Sequence, residues 1–430
     1  MRLFCNKLQF AIFAKFAKIL VNLFMSKVRF FTGLDIGSHS IKGICVAKRP
    51  ESEEYEVYAK TDIVSFGIRK GVVENPQKVT EKIKLLIREL SQMTGEKIED
   101  VCININGSHI FAKQSRGTVA ISRADDQISK EDVNRVIQAA TAISLANNKE
   151  VLKVFPSEFM VDDQSGIKDP VGMKGTRLET EITALCAFAP YKRYLANAVL
   201  DADLQINDII PSPIAAARAV LTPEQKELGV ALLDLGAGTT GLTVYEEGKM
   251  IHSCIFPVGS SNITNDIAIG MRTSIDEAER IKKNFSLKGK TKKEPKSRKK
   301  NQDESNNIEM EKIIFNYREL HSIVTARLSE IFKSVNEELK KIQKQGKLPA
   351  GIIITGGGAK IPGISDFAKK ELRLPVQIGR VLSFTNIEDD PTFSTLCGLV
   401  ICNSELEGEE PPSRGDFWGK VKKFFKSFIP

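Results

Sequence analysis

Apolar and polar positions change in short blocks along most of this chain, strand-like runs giving way to amphipathic helical stretches, which is the pattern of an α/β protein. Residues 30–46 (FFTGLDIGSHSIKGICV) predict a strand, a tight turn and a returning strand, and residues 232–245 (LLDLGAGTTGLTVY) predict the same again. After the first hairpin the pattern predicts a strand over 55–63, a turn over 67–77 and a helix over 79–93. Strands follow at 101–112 and 117–121, and a helix over 129–144 opens on Ser129 as N-cap with Asp132 three residues on. Residues 151–164 are extended, 170–190 return to strand, and 191–203 are helical. In 208–221, Pro211 and Pro213 fix the start of a helix. Two helical stretches cover 257–271 and 274–286, and 308–346 reads as one or two long helices ending near Gly346. A last strand over 352–355 runs into three glycines, and a helix follows Pro391.

The hairpins carry the candidate chemistry. Asp35 stands just before Gly37 and Ser38, and Asp234 just before Gly236, Gly238, Thr239 and Thr240, with the two aspartates 199 residues apart. A turn without side-chain bulk lets backbone N–H groups close on phosphate oxygens, and the hydroxyls add donors. Two carboxylates facing one triphosphate would hold Mg²⁺ through waters and orient an attacking water. In the run TGGGAKIPGI, Gly356, Gly357 and Gly358 let the chain approach a flat ring or a sugar closely.

In this order, the three elements resemble the ATPase superfamily of actin, hexokinase and the heat-shock chaperones. The segments DPVGMKGTRLE, GSHIFAKQSRGTVAI and GVALLDLGAGTTGLTVY, with the end of the chain, narrow the resemblance to FtsA, the actin-like family of bacterial division. That resemblance implies a two-domain, ribonuclease H-like α/β fold binding Mg²⁺ and ATP. It directs Asp35 and Asp234 toward the metal, Gly37, Ser38, Lys42, Gly236, Gly238, Thr239 and Thr240 toward phosphate, and Gly356 to Gly358 toward adenosine. AERIKKNFS resembles the adenosine-binding helix of the chaperone ATPases, which implies Glu279 and Lys282 at the ribose and Lys283 on adenine, faced by Lys360. Where actin relatives carry a Gln or Glu that positions the attacking water, the matching residue is Ser212, so at most slow hydrolysis is expected.

Composition and charge add the surroundings. The net charge of +8 is uneven: residues 1–30 hold six basic and no acidic groups, 282–300 ten and one, and 411–430 five and one, which leaves −11 for the rest. An acidic body with its positive charge in two ends and one internal run fits a membrane surface better than a nucleic-acid groove, so no nucleic-acid partner is expected. The seven cysteines form no C-x-x-C pair, so a reducing compartment is expected. Residues 1–27 lack the roughly 18 uncharged residues needed to span a bilayer and read as a basic amphipathic extension, unless translation starts at Met25. The polar run 288–307 reads as a surface loop.

The last stretch, DFWGKVKKFFKSFIP, places Phe417, Trp418, Val421, Phe424, Phe425 and Phe428 within an arc of about 140°, with Lys420, Lys422, Lys423 and Lys426 opposite. Behind a polar linker, this is an interfacial membrane anchor.

The expected organisation is an extension over 1–27, a first domain from 28–75 and 166–210 closed by 391–403, an inserted α+β subdomain over 76–165, a second domain over 211–390 with a basic loop at 285–307, a linker over 404–415 and the anchor over 416–430. The family resemblance implies a peripheral protein on the cytoplasmic face of the cell membrane at the septum. It would self-associate through the insertion, bind lipid and other divisome proteins, and receive the FtsZ C-terminal tail on its second domain. Two rivals share the clamp. A type IV pilus adaptor usually lacks the terminal helix; of the enzymes, a kinase would need a substrate pocket with a catalytic carboxylate outside the metal pair, and a chaperone ATPase a β-rich substrate domain for which the residues after 403 are too few.

Overall fold

The computed structural model describes residues 29–49, 52–122, 125–289, 307–310 and 313–407. The N-terminal extension, most of the basic loop, the linker from 408 on and the terminal anchor lie outside the described residues.

β1 (Arg29–Ile36), β2 (Ser40–Lys48) and β3 (Tyr55–Val64) form an antiparallel meander, followed by the small hairpin β4 (Ile68–Arg69) and β5 (Val72–Val73). α1 (Pro76–Thr94) starts where the Asn75 side chain accepts from the Lys78 N–H, and it buries Val79, Ile83, Leu86 and Leu90. Next come β6 (Asp100–Ile105), β7 (Phe111–Ala120), α2 (Lys130–Thr141), β8 (Lys149–Val161), β9 (Gln164–Ile167), β10 (Arg177–Phe188), α3 (Ala189–Leu200) and β11 (Gln205–Pro211). The second half begins with α4 (Ser212–Val220), α5 (Pro223–Leu228), β12 (Val230–Leu235), β13 (Thr240–Glu246), β14 (Lys249–Phe256), α6 (Ser260–Gly270) and α7 (Ile275–Asn284). It ends with β15 (Asn307–Met310), β16 (Ile313–Asn316), α8 (Tyr317–Lys341), β17 (Ile352–Thr355), α9 (Ile364–Leu372), β18 (Val376–Ile378), β19 (Phe384–Thr385) and α10 (Ser394–Glu407).

The first sheet runs β11-β6-β1-β2-β3-β19 and the second begins β18-β17-β12-β13-β14. In each, three antiparallel strands are followed by two parallel ones on the side of the first strand, so the second half repeats the first. α4 and α10 pack between the facing sides of the two sheets, in one core with Phe31 and Ile44 from the first and Leu232 and Tyr245 from the second. The two helices meet backbone to backbone, since a Cβ on Gly398 would lie 1.7 Å from the Ala215 carbonyl oxygen.

Three expected boundaries shift. The insertion is not 76–165: the apolar face of α1 packs on β2 and β3, and β6 pairs in parallel with both β1 and β11, so both belong to the first sheet. β10, assigned to the first domain, pairs instead with β7 and β8, with α2 laid across it. The inserted unit is therefore β7 to β10, and it extends the second sheet through one bridge between Phe111 and Cys254.

The long helix predicted over 308–346 starts only at Tyr317, after the β15–β16 hairpin. It ends at Lys341, well before Gly346. Residues 404–407, expected in the linker, extend α10, because Ser404 bonds the Tyr55 hydroxyl at 2.5 Å and Glu405 accepts from Arg218 Nε at 3.0 Å.

Candidate functional site

Each hairpin spends its first glycine N–H on itself: Gly37 N donates to Ser40 O at 3.1 Å and Gly236 N to Thr239 O at 2.9 Å. Closing the turns in this way brings the tips together. A Cβ on Gly238 would lie 2.8 Å from Ser38 Oγ and 3.3 Å from Lys70 Cα, and Ser38 Oγ itself accepts from Gly71 N at 2.9 Å. The glycine and the serine face each other across the two domains, and the bend at Lys70–Gly71 supports them. Thr239 joins the contact, accepting from Asn106 Nδ2 at 3.1 Å. Thr240 does not turn toward this space, because its hydroxyl donates to Val258 O at 2.7 Å and holds β13 to the start of α6.

The carboxylates lie behind the tips. Asp35 accepts from Asn104 Nδ2 at 2.7 Å, and Lys42, opposite it in the β1–β2 register, stands 3.9 Å away. Lys42 is already committed, donating to Thr392 O at 2.8 Å. In the second hairpin the register partner of Asp234 is Gly241, over which Pro213 packs, so no lysine matches Lys42 there. Asp234 accepts only a long bond of 3.3 Å from Thr395 Oγ1. One ammonium thus serves two largely buried acids. Burial raises the pKa of Asp35 against the pull of Lys42, and burial together with the Asp35 charge pushes Asp234 from 3.8 to about 6.

This makes Asp234 a cost to the ligand-free fold. The folded carboxyl holds its proton up to about pH 6 while the unfolded one releases it near 3.8, so stability falls as pH rises through that window and stays low above it. The Asp234→Asn variant, without nucleotide, should be more stable at pH 7 by up to about 3 kcal/mol and should lose this pH dependence. Urea unfolding at pH 4 and pH 7 measures it, and equal stability of variant and parent at pH 7 would show that Asp234 carries no such cost. A divalent cation fits the same place, since it would supply the positive charge that the two acids lack.

Asn104 completes the floor. Its amide donates to Asp35 and to Ser212 Oγ at 3.0 Å, while its oxygen takes the Ile36 N–H at 2.6 Å. Ser212 is buried, its hydroxyl reaching Ile105 O at 3.4 Å, so the place where a water-positioning Gln or Glu was sought is filled by a closed polar network.

The triple glycine enters from β17. Gly356 has φ +80°, and a Cβ there would sit 2.5 Å from Asp234 Oδ1. Gly358 is pressed on Leu235, whereas Gly357 faces open space with only Thr392 Cγ2 at 3.9 Å. α7 reaches this loop from the other side: Leu287 N, just beyond its end, donates to Pro362 O at 2.9 Å. Glu279 binds Lys282 at 2.6 Å, and Lys282 also donates to Thr264 Oγ1 at 2.8 Å, so that ammonium is held at the α6–α7 contact. Lys283 and Lys360 are exposed, and Lys360 pairs with Asp390 at 2.6 Å.

Asn104, Asn106 and Thr395 were not anticipated from sequence. The available signal was the pair of asparagines ending the apolar run VCININ, two polar groups at the carboxyl end of a central strand. Among the described residues six cysteines are free, and no helix is long and apolar enough to cross a membrane.

Comparison with known proteins bears on the family and the fold. Residues 231–398 match the family model for cell division protein FtsA, and residues 107–186 match the SHS2 domain inserted in FtsA, which coincides with the unit from β7 to β10. The chain is 31% identical over 391 residues to the cell division protein FtsA of Pseudomonas aeruginosa, covering 89% of this chain and 91% of that one. Among solved structures, the PilM–PilN type IV pilus biogenesis complex superposes with a TM-score of 0.61 at 15% identity, over 87% of this chain and 98% of that one. MreB5 of Spiroplasma citri bound to AMPPNP superposes at 0.52 and 14% identity, over 88% and 97%.

Proposed function

The chain belongs to the FtsA family of bacterial cell division proteins, and from that premise we propose that it binds Mg·ATP between its two sheets, self-associates on the cytoplasmic membrane at the septum, and tethers FtsZ there. The observation that carries the nucleotide is the meeting of the hairpin tips, Gly238 against Ser38, in front of two largely buried acids that share one lysine. The MreB5 fold, which takes AMPPNP, is of the same kind. Asp35 and Asp234 hold Mg²⁺, and the tip amides with Ser38, Thr239 and Lys42 hold phosphate. Bound Mg²⁺ supplies charge neutralisation for the triphosphate. Gly356 to Gly358 admit the adenosine, and the exposed Lys283 and Lys360, paired with Glu279 and Asp390, lie beside it.

Ser212, bonded to Asn104, stands where actin relatives carry the water-positioning Gln or Glu, so ATP serves as a switching ligand and turnover is slow. The FtsZ C-terminal tail docks on the second domain, and the terminal helix supplies the membrane contact. Calorimetric titration of Mg·ATP into the full chain tests the site: one molecule should bind per chain, and absence of binding would refute it.

The inserted unit from β7 to β10 supports self-association. Its sheet joins the rest through a single strand bridge, so removing it leaves both hairpins intact. A variant lacking residues 107–186 should still bind ATP but form no filaments on lipid. Filaments of that variant under electron microscopy would remove the insertion from the assembly contact.

A further inference from the structure

Three donors of different kinds converge on the second domain, away from the nucleotide cleft. His252 and Cys254 lie on the same face of β14, and Glu338 comes from α8. One ligand atom of each, imidazole nitrogen, thiol sulfur and carboxylate oxygen, lies within 4.8 Å of the other two. His252 Nε2 is 3.0 Å from Glu338 Oε1.

A local irregularity in β14 aims them. Opposite β13, Val244 pairs with His252 and Tyr245 with Met250, which leaves Ile251 as an extra residue between the pairs. A bulge of this kind redirects the neighbouring side chain. On the opposite face of the strand, Ser253 bonds Thr243 at 3.0 Å and fixes its twist.

From this geometry we infer that His252, Cys254 and Glu338 form a Zn²⁺ site, a function separate from nucleotide and FtsZ binding. A nitrogen, a thiolate and a carboxylate are the borderline donor set that Zn²⁺ takes, with three protein ligands leaving a fourth position open to water or to a donor from another molecule. With Zn–N and Zn–O near 2.1 Å and Zn–S near 2.3 Å, a tetrahedron needs donors about 3.3–3.6 Å apart. The His252–Glu338 pair must open by a few tenths of an ångström and Cys254 needs to close by at most about one, both within reach of side-chain rotation.

The surroundings suit the ion. The side chains of His252 and Glu338 are 16% and 15% exposed, enough for entry from solvent. Lys341 bonds the other oxygen of Glu338 at 2.6 Å, which orients the carboxylate while leaving Oε1 for the ion. Cys254 is also the residue of β14 that bridges to Phe111 of the inserted unit, so the ion would tie β14 to α8 at the joint from which that unit projects.

The test uses the full, reduced chain, titrated with Zn²⁺ against a chromophoric chelator and, separately, with Co²⁺ to look for thiolate-to-metal absorption. One tight ion per chain is expected. Cys254→Ser and Glu338→Gln should each weaken it by more than about 100-fold, the upper limit for loss of a mere outer partner. Cys254→Ser should also erase the thiolate band, whereas Cys5→Ser, remote in sequence, should change neither. Unchanged ATP binding by the variants verifies their fold, and Glu338→Gln keeps the side chain's shape should Cys254→Ser misfold. Absence of tight zinc binding, or binding indifferent to both Cys254→Ser and Glu338→Gln, overturns the site.

Discussion

Replacing Gly238 by Val should abolish ATP retention while leaving a folded protein. The first added atom alone would stand 2.8 Å from Ser38 Oγ, 3.1 Å from Ser38 Cβ and 3.3 Å from Lys70 Cα. The hydroxyl can rotate away, but the Cβ and the backbone at Lys70 cannot, and the two branches of valine then push the hairpin tips apart. Because the tips belong to different sheets, the strain opens the cleft rather than the core of either sheet. Affinity measured by calorimetry should fall by at least about 100-fold, a loss of roughly 2.7 kcal/mol or more. Gly357→Ala is the contrast, since its Cβ would meet only Thr392 Cγ2 at 3.9 Å. That variant should keep the fold, and any loss of affinity it shows comes from the ligand side. If Gly238→Val binds ATP as tightly as the parent, the hairpin tips are not the phosphate site.

The second large effect concerns the terminal stretch, which lies outside the described residues and is expected from its sequence to bind membrane as a helix. Burying three Phe side chains and Trp418 at about 1.5–3 kcal/mol each, less the cost of ordering the helix, leaves a few kcal/mol of attraction to a bilayer. That corresponds to roughly micromolar to millimolar binding for one copy, and assembly into filaments multiplies it through multivalency. Phe425→Glu puts a charge inside the apolar arc and should release the protein from vesicles. Lys426→Glu, on the opposite side, should weaken binding only to anionic lipid and in a salt-dependent way. Both belong in a chain starting at Met25, so that the basic N-terminal stretch does not contribute. Equal sedimentation with and without Phe425→Glu would show that this helix is not the anchor.

What the sequence made legible here was local. An aspartate, a small-residue turn and a returning strand lie within some ten residues, and the repeat at 35 and 234 announced the duplicated fold. The partners that complete the site are distant along the chain. Asn104 reaches Asp35 across 69 positions and Thr395 reaches Asp234 across 161, and neither spacing leaves a local pattern.

The insertion was misplaced for a similar reason. The stripe Val79, Ile83, Leu86 and Leu90 predicts an amphipathic helix correctly, yet nothing in it says which sheet the helix covers. Parallel pairing of β6 between β1 and β11 is likewise set by contacts far apart in sequence. At 307–316, Glu309, Glu311 and Lys312 read as the start of the helix, but Ile313, Ile314 and Phe315 are β formers and the β15–β16 hairpin prevailed. The exposed Lys283 and the tethered Lys282 show the remaining gap: adjacent residues with the same chemistry differ in availability because only one lies against α6.

Flotation of FtsZ with lipid vesicles tests the whole account most directly. FtsZ from the same cell is polymerised with GTP and mixed with vesicles containing anionic lipid, with or without this chain and Mg·ATP. The account predicts that FtsZ rises with the vesicles only when the chain is present, and that Gly238→Val and Phe425→Glu, the latter in a chain starting at Met25, each leave it at the bottom of the gradient. FtsZ that stays at the bottom with the intact chain and ATP present, or that floats equally well without the chain, would contradict it.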